Sequence, residues 1–312
     1  YKRQVYNFGS AILRAVGDTK RPLYYLSAAG VINIGLNLLF VIVFRMSVAG
    51  VALATVISET ISASLVIRCM MKEKGSIRLT PSKLRIHPKR FAEILRIGLP
   101  ASLQGVIFAI SNVIIQSSVN SFGSTVVAGN SAASNIEGFV YVSMNSFYQG
   151  TISFTSQNVG AGKYERVNKI LFTAQACVIV TGLVLGNLAV FFGPDLLGFY
   201  TRSAAVKAAG MNRLKIICTV YALCGIMDVM VGSLRGLGYS VMPTIVSLIG
   251  ACGLRLLWIF TFFRIYEQFH TPQSLYLTYP VSWIITICAH VVCFVIVRRR
   301  ISRRLKTQSM AQ

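Results

Sequence analysis

Three acidic side chains sit inside stretches that are otherwise apolar: Glu59, Glu137 and Asp228. The remaining acids of this 312-residue chain lie in polar segments or at helix ends. A charge near the centre of a bilayer costs several kcal/mol or is forced to take up a proton, so an acid kept there faces water, a ligand or a partner. The chemistry open to such a group is to bind and release a cation or a proton. Glu137 is the strongest of the three because of its company. Asn130, Ser134, Glu137, Tyr141, Asn145 and Tyr148 follow at spacings of 4, 3, 4, 4 and 3. At about 100° per residue they fall within roughly a quarter-turn of one helix face. The preceding apolar segment offers Gly105, Asn112, Gln116 and Asn120 at spacings of 7, 4 and 4, flanked by Gln104, Ser111 and Ser118. Such stripes describe a wet cavity able to hold an amphipathic cation, with rings for cation–π contact, or else a polar seam that glues helices together.

Asp228 precedes Arg235 by seven residues, two turns along the same helix. It reads either as a second ion-carrying carboxylate or as a structural acid paired with that arginine. Glu59 lies mid-segment with Thr55 and Ser62 at helical spacing beside it, and its role stays open. Other chemistries find no support. Gly160-Ala161-Gly162-Lys163 looks like the end of a phosphate-binding loop, but Gln157 stands where the upstream glycine belongs and Tyr164 where Ser or Thr is needed. His87, His270 and His290 are scattered without metal-ligand spacing, and no G-x-S-x-G or H-E-x-x-H occurs. Seven cysteines without a C-x-x-C pair read as small buried hydrophobes. Arg255, a single cation within an apolar segment, reads as paired or snorkelling. No catalytic residue, resident metal or cofactor is expected.

The elements that must position these residues are transmembrane helices. Hydrophobic residues make up 54% of the chain and charged ones only 13%, against about 25% charged in a soluble domain. Both a water-soluble globule and a disordered chain are excluded. Eight stretches are long enough to cross a bilayer of about 30 Å: 22–44, 49–68, 96–119, 125–158, 168–193, 207–234, 240–265 and 278–297. Residues 1–17 read as the end of a ninth helix. Of the 31 Lys and Arg, 24 fall in alternate connections (1–21, 68–96, 163–169, 235–243 and 298–306) and six in the others, among them Arg213. That alternation is the positive-inside rule, which makes the formal charge of +22 a matter of topology and argues against nucleic acid as a partner. The expected location is a cell membrane crossed many times, with both ends of this chain cytoplasmic. The chain opens Tyr-Lys-Arg-Gln without a signal-peptide pattern.

A repeat organises the spans. Residues 13–22 read L-R-A-V-G-D-T-K-R-P and residues 234–243 read L-R-G-L-G-Y-S-V-M-P, an offset of 221 with six spans between. In each copy a helix is expected to start at the proline. An even number of intervening spans makes the copies parallel repeats about an axis along the membrane normal. Subtracting the offset from Gly98-Leu99-Pro100, where the second bundle opens, puts the matching start about 120 residues before Tyr1. The chain therefore reads as N-terminally truncated. Residues 1–68 are the C-terminal part of a first six-helix bundle, 69–95 a basic cytoplasmic linker, 96–297 a second six-helix bundle and 298–312 a basic cytoplasmic tail.

The whole chain resembles the multidrug and toxic compound extrusion family. The resemblance rests on Gly98-Leu99-Pro100, Asn120-x-Phe122-Gly123, Ala132-Ala133-x-x-Ile136-Glu137, Gln157-Asn158-x-Gly160-Ala161-Gly162 and Leu234-Arg235-Gly236-x-Gly238, in that order around the spans. It implies an all-α, twelve-helix secondary antiporter that exports amphipathic cationic drugs or xenobiotics in exchange for protons or sodium ions. The best-known branch has a glutamate where this sequence has Phe108, so the coupling ion stays open.

On this reading Glu137, Asp228 and Glu59 are the ion-coupling candidates. Gln104, Asn112, Gln116, Asn120, Asn130, Tyr141, Asn145 and Tyr148 line the substrate cavity. The partners are a small-molecule substrate and membrane lipid, with no nucleic acid, and the protein is expected to be a monomer. In the full-length protein Glu137→Gln should abolish efflux and leave folding intact. The nearest rival is a lipid-linked oligosaccharide flippase, which needs a more cationic cavity for pyrophosphate than these neutral-to-acidic stripes offer. A polytopic membrane enzyme is the rival of a different class.

Overall fold

The computed structural model describes residues 1–75 and 77–310, with side chains through residue 303. Every regular element among the described residues is helical. The chain divides into two compact units, Tyr1–His87 and Pro88–Gln312, with the division falling inside the basic stretch 69–95.

The first unit contains α1 (Lys2–Ala15), α2 (Lys20–Leu38) and α3 (Ser47–Lys72). α2 continues through a π turn, Leu39–Val43. Its outer surface presents Leu23, Leu26, Val31, Ile34 and Leu38, an apolar face suited to lipid. α1 packs on α3 through Tyr6, Leu13, Val66 and Met70. The approach is close enough that a Cβ on Gly9 would lie 2.3 Å from Val66 Cγ1. Glu59 is half-buried in α3, and its carboxylate has no hydrogen bond or ion pair among the described residues.

The second unit contains α4 (Pro88–Asn120), α5 (Ser124–Gly160), α6 (Arg166–Phe191), the short α7 (Gly193–Gly198), α8 (Ala204–Ile217) and α9 (Ala222–Gly236). α10 (Val241–Ser247) and α11 (Leu254–Trp258) are parts of one 23-residue span, Val241–Phe263, threaded with π turns, and α12 (Pro272–Met310) follows. Small residues let the backbones meet, the usual device where lipid removes the hydrophobic drive between helices. A Cβ on Gly186 of α6 would lie 2.1 Å from the Cys218 carbonyl oxygen. One on Gly129 of α5 would lie 2.7 Å from the Gly210 nitrogen of α8. A 3₁₀ turn, Cys218–Val220, separates α8 from α9, and the pair is bent by 48°.

The expected count of eight crossings is not reproduced by length and apolarity. Among the described residues six helices meet that measure: Lys20–Val43, Ser47–Lys72, Pro88–Asn120, Arg166–Phe191, Val241–Phe263 and Pro272–Arg303. The bent pair α8–α9 makes a seventh if it is one span. α5 coincides with the expected segment 125–158 and is 37 residues long, but its polar face dilutes its apolar character. The ninth, partial helix is α1.

The two copies of the repeated motif share one local geometry. Gly17 and Gly238 have φ of +90° and +86°, a left-handed conformation that glycine adopts without strain. In each copy the next amide returns to the leucine carbonyl, Asp18 N to Leu13 O and Tyr239 N to Leu234 O, both at 3.0 Å. The helices that follow begin at Lys20 and Val241, two residues before Pro22 and Pro243 rather than at them. The N–H groups of a helix's first turn all lack intrahelical partners, so a proline at its third residue loses no bond.

Candidate functional site

A cleft of about 610 Å³ opens within the second unit. All six residues of the α5 stripe line it: Asn130, Ser134, Glu137, Tyr141, Asn145 and Tyr148. Their common spacing turns one face of α5 to the space while Ala132, Ala133, Ile136, Val140 and Met144 turn to the core. Across from them α4 contributes Gln104, Gly105, Asn112 and Gln116. Asn120, expected in the lining, instead accepts from Gln116 Nε2 at 3.1 Å through its Oδ1. Glu59 belongs to the other unit.

At one end of the cleft the Glu137 carboxylate is held by Arg213 of α8. Arg213 Nε donates to Glu137 Oε1 and Nη2 to Oε2, each at 2.7 Å. Nη1 donates to Asn130 Oδ1 at 2.8 Å, and Asn130 Nδ2 donates in turn to Gln116 Oε1 at 2.9 Å. The guanidinium lies 5.4 Å and 5.5 Å from the ring centroids of Tyr276 and Tyr279. Both members of the pair are buried, Glu137 at 7% exposure and Arg213 at 6%. This bidentate geometry is the strongest form of an ion pair. Arg213 was counted among the basic residues of a connection on sequence grounds. The structure puts it instead within α8, where the Gly129–Gly210 contact brings α8 against α5.

The other polar end is built differently. Asp228 of α9 is half-buried, lines the cleft and has no hydrogen-bond partner among the described residues. Arg235, two turns on, does not pair with it. Its Nη1 donates to the Tyr148 hydroxyl, and its Nη2 to Gln104 Oε1 at 2.8 Å and Thr244 Oγ1 at 3.3 Å. A third guanidinium, Arg255, is only 5% exposed and lies 4.0 Å from the Tyr279 ring centroid and 5.8 Å from that of Trp283. Arg255 Nε donates to Ser282 Oγ at 2.8 Å. Among the described residues it has no carboxylate partner, so it is neither ion-paired nor snorkelling. The cleft thus holds three guanidinium groups and two carboxylates.

Residues 100–261, about half the chain, match the sequence profile of the family described as MatE. This chain belongs to the MatE family. Among the proteins it resembles is the probable multidrug resistance protein YpnP of Bacillus subtilis, 30% identical over 91% of this chain and 62% of that protein. The probable multidrug resistance protein YoeA of the same organism is 25% identical over 79% of this chain and 55% of its own length. The solved MATE transporter VcmN of Vibrio cholerae, in its bent form, shares the fold with a TM-score of 0.83 at 19% identity, covering 96% of this chain and 67% of that one. The chain spans about three-fifths or less of the length of these two curated relatives.

Sequence reasoning missed Arg213, Tyr221, Met227, Tyr279 and Trp283 as parts of this MatE cleft. One signal was available for Arg213. A cation seven residues into a segment read as 207–234 is already inside the helix, and Gly210 three residues before it marks a close approach. Nothing local announces the aromatic pair on α12, whose spacing of four also suits ordinary packing. The expectation of a neutral-to-acidic lining is corrected on the same ground, since all three arginines come from helices other than the two stripes. They also lie over Tyr148, Tyr276, Tyr279 and Trp283, so the chain's own cations already occupy those rings.

Proposed function

We propose that this chain is the larger part of a secondary active efflux antiporter that moves amphipathic small molecules out of the cell in exchange for a proton or a sodium ion. Membership of the MatE family supports the class. One observation carries the site assignment: the second unit holds a cleft of about 610 Å³ in which one carboxylate, Asp228, is without a hydrogen-bond partner among the described residues. A carboxylate so kept is available to an ion, and its differential ion affinity in two conformations shifts their populations. Glu137, whose oxygens Arg213 already occupies, is assigned to holding α5 against α8. Glu59 keeps a lesser claim as an ion-carrying acid of the first unit. The basic connections and both ends of the chain are assigned to the cytoplasmic side, with inward- and outward-open states interconverting by relative rotation of the two repeats.

The experiment is efflux from proteoliposomes with a pH gradient and a sodium gradient imposed separately. Acceleration by one of them identifies the coupling ion. Transport that ignores both gradients sinks the antiport reading. The flippase alternative gains from the three arginines, but Arg213 is neutralised by Glu137 and Arg235 is engaged by Tyr148, Gln104 and Thr244. A pyrophosphate needs more than the one cation left over.

A further inference from the structure

Of the three arginines that line the cleft, Arg235 and Arg255 lack an anionic partner among the described residues, and Arg255 alone also keeps most of its donors unspent. Arg213 gives all three of its nitrogens to Glu137 and Asn130. Arg235 spends both Nη groups on Tyr148, Gln104 and Thr244. Arg255 spends only Nε, on Ser282, and among the described residues its two Nη groups have no hydrogen-bond partner. Yet it is 95% removed from solvent, since its exposure is 5%, and it borders the cleft. Burying a guanidinium without a counter-charge is costly, and such a group calls for an anion to neutralise it.

We propose that Arg255 is the anchor of an oxyanion subsite, and that molecules held in this cleft carry a carboxylate or phosphate group attached to an aromatic or apolar body. The two Nη groups form a fork matched to a planar or tetrahedral oxyanion. Tyr279 and Trp283 pack near the guanidinium and Ser282 accepts from its Nε, contacts that restrain its orientation. Phe108, Tyr221 and Met227 supply apolar lining for the body of the molecule. The charge balance points the same way: three guanidinium groups against two carboxylates leave the cleft positive even when both acids are ionised. A purely cationic guest would meet that excess and find three of the lining rings, Tyr148, Tyr279 and Trp283, already faced by the chain's own cations. The inference rests on the proposal that this cleft is where the transported molecule sits.

The test uses ligand pairs that differ in one charge. Binding of 2-naphthoate, 1-naphthyl phosphate and the uncharged methyl ester of 2-naphthoate is measured by calorimetry on the purified protein in detergent. The acid and the phosphate are expected to bind about tenfold or more tightly than the ester, the range of a charge-assisted hydrogen bond. In Arg255→Gln the ratio of acid to ester affinity falls close to one, and Arg255→Lys restores part of it. A purely structural arginine would weaken acid and ester together and leave their ratio intact, which overturns the proposal. So does equal binding of acid and ester by the unmutated protein, a comparison that survives even if the variants fail to fold. Binding that depends on Arg255, in a protein that moves no naphthoate across a vesicle membrane under either gradient, keeps the subsite and removes the transport reading instead.

Discussion

The two ends of the cleft use the same residue types and reach opposite outcomes. At one end Glu137 and Arg213 close on each other with two bonds of 2.7 Å. At the other, Asp228 and Arg235 remain apart, the acid without a hydrogen-bond partner among the described residues and the arginine engaged by neutral groups. The difference is geometric. Glu137 and Arg213 stand on separate helices whose backbones touch at Gly129 and Gly210, so their side chains need only reach across a narrow gap. Asp228 and Arg235 share one helix at a separation of seven, which puts them on the same face but roughly 10 Å apart along the axis. A short aspartate cannot bridge that distance. What the contrast teaches is that a carboxylate's partner, rather than its depth in the membrane, decides whether it is available to an ion.

Glu137→Gln is the harshest way to break the comparison. It leaves the Arg213 guanidinium buried without a counter-charge, and the loss of stability should be about 3–5 kcal/mol. That replaces the expectation of an inactive but intact protein. Thermal unfolding in detergent measures it, and an unchanged midpoint would mean the pair carries no weight. Gly129→Ala attacks the same end indirectly. Its new methyl would lie 2.7 Å from backbone atoms of α8, so the helices must part, at a cost of about 2 kcal/mol by the same measurement. Asp228→Asn sharpens the contrast from the other side. Gradient-driven efflux should fall at least about tenfold, or roughly 1.4 kcal/mol, while the unfolding midpoint moves by less than half of what Glu137→Gln produces. Tyr148→Phe should have the smallest effect. It removes one neutral partner of Arg235, about 1 kcal/mol, and a larger loss would show that the hydroxyl supports more than that arginine.

Periodicity was enough to read much of this site. Spacings of three and four along 130–148 define a face whatever packs against it, and that face is the wall of the cleft. The stripe on α4 reads similarly as far as Gln116, and fails at Asn120, where the helix ends and the side chain turns back to its own neighbour. Arg213 was out of reach for a different reason: its bond to Glu137 joins residues 76 apart, and only the packing of α8 on α5 makes it. Arg255 was visible as a buried cation, but whether it had a partner was a question about α12, whose Ser282 lies 27 residues on in the chain. For the fold, apolar length located the helices well. It could not say how many of them cross as single rods, because α5 is polar along one face and α8–α9 is broken.

That break has a mechanical consequence. The 48° bend places Arg213 on one arm and Asp228 and Arg235 on the other, joined by a single tight turn wedged against Gly186. The second arm, α9, is about 22 Å long, so opening or closing the joint by some 10° would swing its far end by roughly 4 Å. Arg235 rides near the tip and Asp228 partway along, whereas the locked acid stays with the first arm. An elbow of this kind would let one carboxylate change its surroundings while the other keeps its grip.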